Sequence, residues 1–232
     1  MKHYTKDEYS IGLLLDTLTS DCLNKVRESD MFKRSNIYAG RCHRIVNHRY
    51  DDLPYEESHL RSTVEYGEKY ARVLVDAFGG DPYETIELAL SACWPHDTIE
   101  DARQTFSDVK TACGTKVAEI VFALTNEKGR TRKHRANARY YRGIRRTHLA
   151  AFVKACDRLA NIRHSFNKKG SMLNVYRKEH HAFVESLKPT WFERLVNWYQ
   201  WVTMREPMFD GMKLYDAMRP MFEEMDIMIT LR

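Results

Sequence analysis

The chain has 232 residues, of which 43% are hydrophobic and 30% charged, and its formal net charge is +5. This length suffices for one substantial domain with its own core, and the low content of glycine (10) and proline (6) excludes disordered, collagenous and low-complexity proteins. The mean hydropathy is -0.58, and the lack of any apolar run of about 18 residues excludes a membrane-spanning helix. Five scattered cysteines without a Cys-x-x-Cys pair favour reduced thiols, and the first residues contain no apolar secretion signal. We therefore expect a cytoplasmic protein that does not act at a membrane.

Apolar residues recur at helical spacing along most of the chain, which predicts an all-α fold. An N-terminal helical lead is expected from Thr5 to Asn47, and a helix from Val64 to Phe78 should stop at Gly79-Gly80. The almost wholly apolar segment from Tyr83 to Trp94 should cross the core. Further helices are predicted from Ser107 to Gly114, Val117 to Leu124, His148 to His164, Glu185 to Trp201 (with Pro189 as a start of the N1 type) and Leu214 to Met228. No run alternates apolar and polar residues as a half-buried strand would, so we predict a single helical domain.

The basic excess of the chain is concentrated in one stretch, from Lys128 to Arg146. This stretch contains nine Lys or Arg residues and no Asp or Glu, so the rest of the chain is mildly acidic. Such a concentration of charge attracts partners that carry phosphate, either a nucleotide or a nucleic acid. A solvated helix face would have the same pattern, and the sequence alone leaves both interpretations open.

The most specific feature is the segment from His96 to Asp101, where an apolar helix ends in a group of ionisable residues. Glu100 follows His96 by four residues, and Asp101 follows Asp97 by four, so one helical turn brings all four side chains to the same helix end. Burying three carboxylates together costs several kcal/mol unless a cation balances them. No cluster of arginines lies nearby in the sequence, and a divalent metal is therefore the expected counter-charge.

A further carboxylate, Asp157, lies within the apolar helix that runs from Ala150 to Arg163. A carboxylate on a core-facing stretch must be paired or must bind a ligand. Asp157 is therefore either a further metal ligand or the partner of Lys154 or Arg158.

Together these residues resemble the HD-domain phosphohydrolase superfamily, and within it the hydrolase domain of RelA/SpoT-type proteins and the small single-domain alarmone hydrolases. His96 to Asp101 matches the motif His-Asp-x-x-Glu-Asp, and Lys154 to Arg163 is similar to Lys-Leu-Ala-Asp-Arg-Leu-x-Asn-x-Arg. Ala39 to His43 and Leu53 to His59 look like the Ala-His … Pro-Tyr-x-x-His stretch that supplies the first metal-ligand histidine. The resemblance covers about Arg34 to Lys178 and implies an HD-type helical bundle.

The resemblance also implies roles for individual residues. Glu100 and Asp101 would orient and deprotonate the attacking water, and Asn161 would contact the nucleotide sugar or its 3′ substituent. The metal would be Mn²⁺ or another divalent transition metal, which nitrogen and oxygen donors suit. His48 competes with His43 as the first ligand. The implied metal ligands are His43, His96, Asp97 and Asp157, and the implied substrate-binding residues are Asn161, Lys154, Arg158, Arg34, Arg139 and Arg142.

The implied activity is a metal-dependent nucleotide pyrophosphohydrolase that removes the 3′-diphosphate of guanosine tetra- or pentaphosphate (ppGpp or pppGpp). The same fold could instead hydrolyse another nucleotide, such as the 2′-phosphate of NADPH or a deoxynucleoside triphosphate. A different class of function, a helical module that binds nucleic acid through residues 128–146, is disfavoured because a phosphate-backbone binder gains nothing from the acidic cluster.

The expected organisation is an N-terminal helical lead (1–33), a phosphohydrolase core (34–178) and a C-terminal helical extension packed on that core (179–232). The extension is expected to use Trp191, Trp198 and Trp201, with Leu195 and Val202, as core residues because of their helical spacing. The oligomeric state stays open.

Overall fold

The computed structural model describes residues 6–78, 81–204 and 211–231. Within these ranges almost every element is helical. In chain order they are α1 (Lys6–Glu28), α2 (Asp30–Ile45), strands β1 (Arg49–Tyr50) and β2 (Leu53–Pro54), a π-helix (Glu56–Leu60), α3 (Arg61–Lys69), α4 (Ala71–Ala77), α5 (Pro82–Cys93), α6 (Thr98–Asp101), α7 (Phe106–Cys113), α8 (Thr115–Leu124), α9 (Arg132–Arg135), α10 (Ala138–Arg146), α11 (Ala150–Asn167), α12 (Met172–Leu187), α13 (Trp191–Met204), α14 (Gly211–Ala217) and α15 (Arg219–Thr230).

Helices α5 and α11 form the centre of the bundle. Both are apolar around most of their circumference, which is typical of helices that are buried on all sides. Helix α11 packs against α3, α5, α8, α12 and α15, and its Phe152 and Leu159 are fully buried. Gly67 lets α3 approach α5 closely, since a Cβ atom there would lie 2.6 Å from Cδ2 of Leu90. This packing brings the C-terminal end of α5 beside the middle of α11.

The all-α, single-domain fold predicted from the sequence is confirmed, and the bundle agrees with the HD-type arrangement that the resemblance implies. The sheet that the sequence did not indicate consists of two strands of two residues each, paired antiparallel with Arg49 opposite Pro54 and Tyr50 opposite Leu53. Strands this short cannot produce the alternating pattern by which strands are recognised. Among the described residues, no helix is both long and apolar enough to cross a membrane.

Three predicted helices are interrupted in the structure. The predicted helix from Val64 to Phe78 breaks at Tyr70, and the one from Leu214 to Met228 breaks at Met218. The sequence does not reveal these breaks, because apolar residues keep their helical spacing across both. The predicted start at Glu185 is wrong, because α12 ends at Leu187. Pro189 lies between the helices and not at the first helical position, and Thr190 immediately precedes α13. The side-chain and backbone donors of Thr190 both contact the Glu193 carboxylate, while the Glu193 amide donates to the Thr190 hydroxyl. Gly79 and Gly80 lie outside the described residues.

The C-terminal helices pack on the rest of the bundle mainly through α12 and α15, which contact α11. The prediction that Trp191 and Leu195 are core residues is wrong, because 73% and 48% of their surfaces are exposed. The side chains of Trp198, Trp201 and Val202 lie outside the described residues. The division into segments 1–33, 34–178 and 179–232 stays a prediction, and its two boundaries fall inside α2 and α12.

Candidate metal centre and active-site cavity

A sharp turn at the end of α5 presents His96 to the interior. Pro95 has no N–H to continue the helix, and its carbonyl accepts hydrogen bonds from the backbone N–H (2.9 Å) and the hydroxyl (2.8 Å) of Thr98. Nδ1 of His96 lies 2.8 Å from the backbone carbonyl oxygen of Cys93. A carbonyl can only accept, so Nδ1 carries the proton and Nε2 is left as the metal-binding nitrogen.

His59 reaches the same point from the π-helix. The stretch Pro-Tyr-x-x-His that this segment resembles has two residues between Tyr and His, whereas this chain has three between Tyr55 and His59. A π-helix holds about one more residue per turn than an α-helix, so the extra residue is accommodated without a loop. His59 is buried and lies near the C-terminal end of the π-helix, which continues directly into α3.

Four donor atoms converge where α5, α11 and the π-helix meet. Nε2 of His59 lies 3.3 Å from Nε2 of His96 and 3.3 Å from Oδ1 of Asp157. Nε2 of His96 lies 3.7 Å from the same Asp157 oxygen. Oδ2 of Asp97 is 3.0 Å from Nε2 of His96 and 3.5 Å from Nε2 of His59. The ligand atoms of His59, His96 and Asp157 all lie within 4.8 Å of one another, and two imidazoles with two carboxylates form a donor set that fits a divalent transition metal.

Asp157 is held in place by hydrogen bonds from its own helix. Nζ of Lys154 lies 2.7 Å from Oδ2, and Nδ2 of Asn161 donates to Oδ1 over 2.6 Å. Burial alone would raise the pKa of this carboxyl, but the Lys154 ammonium and the two histidines hold it well below its usual range. Asp157 is therefore a carboxylate, the form in which it binds cations.

Asn161 is fixed from the other side by the small β-hairpin. The hydroxyl of Tyr50 in β1 donates to Oδ1 of Asn161 over 2.9 Å, so both ends of the amide have partners within the protein. Asp51, in the turn that follows, is 3.1 Å from Nε2 of His164 on α11. The hairpin thus orients Asn161, and Asn161 in turn orients Asp157.

His43 is not brought to this cluster, although the resemblance suggested it as the first ligand. It is fully buried, its Nδ1 shares a hydrogen bond with Nδ1 of His48 (2.9 Å), and its ring stacks on Tyr55. Burial lowers the pKa of His43 to about 4. His48 stacks on the same Tyr55 ring, whose hydroxyl donates to Oδ2 of Asp97. Among the described residues, the histidine that joins His96 and Asp157 is His59, and the two earlier histidines support Tyr55 instead.

The two predicted catalytic carboxylates lie beside the metal cluster on the wall of a cavity. Glu100 accepts hydrogen bonds from Nδ2 of Asn126 (2.7 and 3.0 Å). Burial, followed by the charges of Asp97 and Glu100, raises the pKa of Asp101 to about 6. A carboxylate with this pKa can accept a proton near neutral pH.

The cavity beside the cluster has a volume of about 700 Å³, within the range of small-molecule sites. One end is acidic, since Asp97, Glu100, Asp101 and Asp157 line it. Helices α9, α10 and α12 also contribute to its wall. The cationic residues that line the cavity are Arg132, Lys133, Arg135, Lys154, Arg158 and Lys178.

Of the predicted substrate-binding residues, the structure brings Lys154, Arg158 and Asn161 to this cavity. Arg34, Arg139 and Arg142 do not line it, and all three are exposed. Nε of Arg139 lies 3.4 Å from a carboxylate oxygen of Glu127. The charged residues of the basic stretch that line the cavity are Arg132, Lys133 and Arg135, not Arg139 or Arg142.

Sequence reasoning missed an acidic residue of α12 that organises the cationic wall. Glu179 pairs with Arg132 through two N–H groups (3.2 and 3.1 Å) and with Arg158 (3.2 Å), so it ties α9 and α11 to α12. The guanidinium of Arg158 also lies 4.7 Å from the ring centre of Tyr176 and 4.6 Å from that of Phe183. No motif signals these residues, because their neighbours in space come from distant parts of the chain.

Fold and site together define an all-α protein with a buried candidate metal centre at the acidic end of a large cavity. The chain is 34% identical over 80 residues to the guanosine-3′,5′-bis(diphosphate) 3′-pyrophosphohydrolase MESH1 of Danio rerio. The matched segment is 34% of this chain and 42% of that protein, so the chain spans about two fifths of the length of the curated relative that it matches. No family model matches the chain.

Proposed function

We propose that this protein is a metal-dependent nucleotide pyrophosphohydrolase that removes the 3′-diphosphate of guanosine tetra- or pentaphosphate. The observation that carries this proposal is the convergence of His59, His96 and Asp157 beside Asp97 at the acidic end of a cavity lined by cations. The partial similarity to MESH1, which acts on guanosine 3′,5′-bis(diphosphate), supports the nucleotide substrate.

The proposed metal ligands are His59, His96, Asp97 and Asp157. His59 replaces His43 in this set because its Nε2 lies within 3.5 Å of donor atoms of the other three residues, whereas, among the described residues, the histidines whose donor atoms cluster with Asp157 are His59 and His96. The nitrogen and oxygen donors suit Mn²⁺, which is our choice of ion. Such an ion, when bound, neutralises charge on a phosphate oxygen and lowers the pKa of a coordinated water.

Asp101, with Glu100 beside it, is the proposed general base. The pKa of about 6 lets Asp101 remain deprotonated at pH 7 and still accept a proton from the attacking water. The water oxygen attacks the phosphorus bonded to the ribose 3′-oxygen, that P–O bond breaks, and the 3′-oxygen takes up a proton. The products from guanosine tetraphosphate are guanosine 5′-diphosphate and pyrophosphate.

Binding of a polyanionic substrate is assigned to the cationic wall of the cavity. Six Lys or Arg side chains and five carboxylates line the cavity, and a bound divalent ion would add further positive charge. Lys154 lies closest to the metal cluster through its contact with Asp157, and Arg158 is held rigid between two aromatic rings. We assign both to the phosphate groups of the substrate.

The test is incubation of the Mn²⁺-loaded protein with guanosine tetraphosphate, NADPH and a deoxynucleoside triphosphate, with products separated by chromatography. We expect guanosine 5′-diphosphate and pyrophosphate from the first substrate. Asp101→Asn should keep the metal and lose activity by about 10²-fold or more, the usual scale for a general base. Asp216→Asn, which changes an exposed carboxylate on α14 outside the cavity, is the matched control. Release of phosphate from NADPH alone, or full activity of Asp101→Asn, would contradict the proposal.

A further inference from the structure

We infer that Asn126 is a positioning residue for hydrolysis, which acts by holding the Glu100 carboxylate where it can orient the attacking water. This inference rests on the proposed function and deepens it. Glu100 lies on α6, and Asn126 lies 26 residues later, in the connection between α8 and α9. Both side chains line the active-site cavity. The contact between them therefore joins two parts of the cavity wall that are distant in the sequence.

Three hydrogen bonds run from Asn126 to the Glu100 carboxylate. Nδ2 of Asn126 donates to Oε1 over 2.7 Å and to Oε2 over 3.0 Å, and the backbone N–H of Asn126 donates to Oε2 over 3.4 Å. Glu100 is exposed and belongs to a helix of only four residues, so without these bonds its side chain would sample several rotamers. Asn126 therefore selects one direction for this carboxylate.

Asn126 is itself held in place through its two neighbours in the chain. Thr125 ends α8, where its backbone N–H (3.1 Å) and its hydroxyl (3.0 Å) both donate to the carbonyl of Val121. On the other side, the backbone N–H of Glu127 donates to the carbonyl of Arg135 at the end of α9 (3.2 Å). A donor whose backbone is fixed on both sides can direct a flexible carboxylate.

The contact with Asn126 leaves Glu100 able to bind a water. An ionised carboxylate has about four lone-pair positions, and an amide nitrogen only donates, so Asn126 takes up some of these positions and the others face the cavity. Asp101, the next residue, is the group that takes up the proton in the proposed reaction. The two carboxylates thus divide the work, since Glu100 orients the water that Asp101 deprotonates.

Asn126→Ala should lower kcat about tenfold, the scale of one hydrogen bond to a charged group, and leave KM within about twofold. Metal content should not change, because Glu100 is not one of the proposed metal ligands. Asn174→Ala is the matched control, since Asn174 is exposed, accepts a hydrogen bond from Arg177 (2.8 Å) and does not line the cavity. A raised KM with unchanged kcat, or the same loss in Asn174→Ala, would overturn the inference.

A double-mutant cycle with Glu100→Ala separates a positioning role from a merely structural one. Glu100→Ala alone should lower kcat about 10²-fold. If Asn126 acts through Glu100, adding Asn126→Ala to this variant should cause no further loss beyond about twofold. Losses that multiply in the double variant would show that Asn126 acts independently of Glu100, and would overturn the inference. Urea unfolding of all four proteins checks that each variant is folded.

Two substrates distinguish failure of this inference from failure of the proposed function. The cycle is measured on the Mn²⁺-loaded protein with guanosine tetraphosphate and with bis(p-nitrophenyl) phosphate, an ester that has no nucleoside. If the wild type cleaves only the ester, the nucleotide assignment fails, and the cycle on the ester supports or overturns the role of Asn126. If the wild type cleaves neither compound, both proposals fail. Unchanged cleavage of guanosine tetraphosphate by Asn126→Ala would overturn the inference alone.

Discussion

Removal of the Tyr50 hydroxyl should weaken metal binding although this group lies outside the metal cluster. The hydroxyl donates to Oδ1 of Asn161 (2.9 Å), and Nδ2 of Asn161 donates to the Asp157 oxygen that faces His59 (2.6 Å). Without the hydroxyl, the Asn161 amide loses the contact that keeps its Nδ2 directed at Asp157. The carboxylate is then less well oriented for a cation.

The expected magnitude follows from these contacts. A neutral hydrogen bond contributes about 0.5–1.5 kcal/mol, so Tyr50→Phe should weaken metal affinity about two- to tenfold. Asn161→Ala removes the direct partner of Asp157, and such changes typically lower metal affinity by about 10–100-fold. The two variants should therefore form a graded series, with the smaller effect at the more distant residue.

The assay is a competition titration of Mn²⁺ against a chelator, with the free energy of unfolding of the metal-free protein measured in parallel. Tyr83→Phe is the matched control, because it also removes a side-chain hydrogen bond, to Glu87 (3.2 Å), but in the first turns of α5, at the far end of that helix from the site. Unchanged metal affinity in both Tyr50→Phe and Asn161→Ala would refute the reasoning. An equal loss of affinity in Tyr83→Phe would show that the effect is not specific to the hydrogen bonds that link Tyr50, Asn161 and Asp157.

Three further predictions concern the ligand set, the pH dependence and the fold. Elemental analysis should find the metal lost from His59→Gln and retained in His43→Gln, and the reverse result would return the ligand role to His43. The pKa of Asp101 is raised from 3.8 to about 6, so the folded metal-free protein binds this proton more tightly than the unfolded chain does and loses stability as the pH rises through that interval. Urea unfolding should therefore show that Asp101→Asn gains stability relative to wild type from about pH 4 to pH 6. A stability difference that does not change with pH would contradict this. Glu193→Ala leaves Arg145, whose side chain is only 11% exposed, without its carboxylate partner, so unfolding experiments should show a loss of about 3–5 kcal/mol. A loss below about 1 kcal/mol would show that water replaces the carboxylate.

The parts of the site that the sequence predicts are those that lie close together along the chain. The apolar character of α5 and α11 predicts that both helices are buried, and the segment from His96 to Asp101 is short enough for residue spacing to place its side chains together. Asp157 stands out because it is a carboxylate among apolar residues. Local sequence therefore suffices for the two central helices and for most of the acidic end of the cavity.

The parts that the sequence does not predict depend on contacts between distant segments. The sequence left the first ligand open between His43 and His48, whereas the histidine beside His96 is His59, which the π-helix positions. A search at a period of 3.6 residues does not detect a π-helix. The partner of Asn161 is Tyr50, 111 residues away in a hairpin too short to be recognised. The orientation of the basic stretch is set by the breaks around α9, so its cations that line the cavity lie in α9 and Arg139 does not line it.

The π-helix also lets the direction of His59 and the rotational phase of α3 be set separately, whereas a continuous α-helix would couple them. In an α-helix each residue turns the helix by about 100°, so the direction of His59 would fix the rotational phase of every later residue in α3. The wider turn between Glu56 and Leu60 changes that phase once, just before α3 begins. His59 can therefore face the other ligands while Val64 and Gly67 still face the core. A deletion of one residue in this turn would rotate either His59 or the core-facing residues of α3 out of position. The site therefore requires the length of this turn as much as it requires a histidine at position 59.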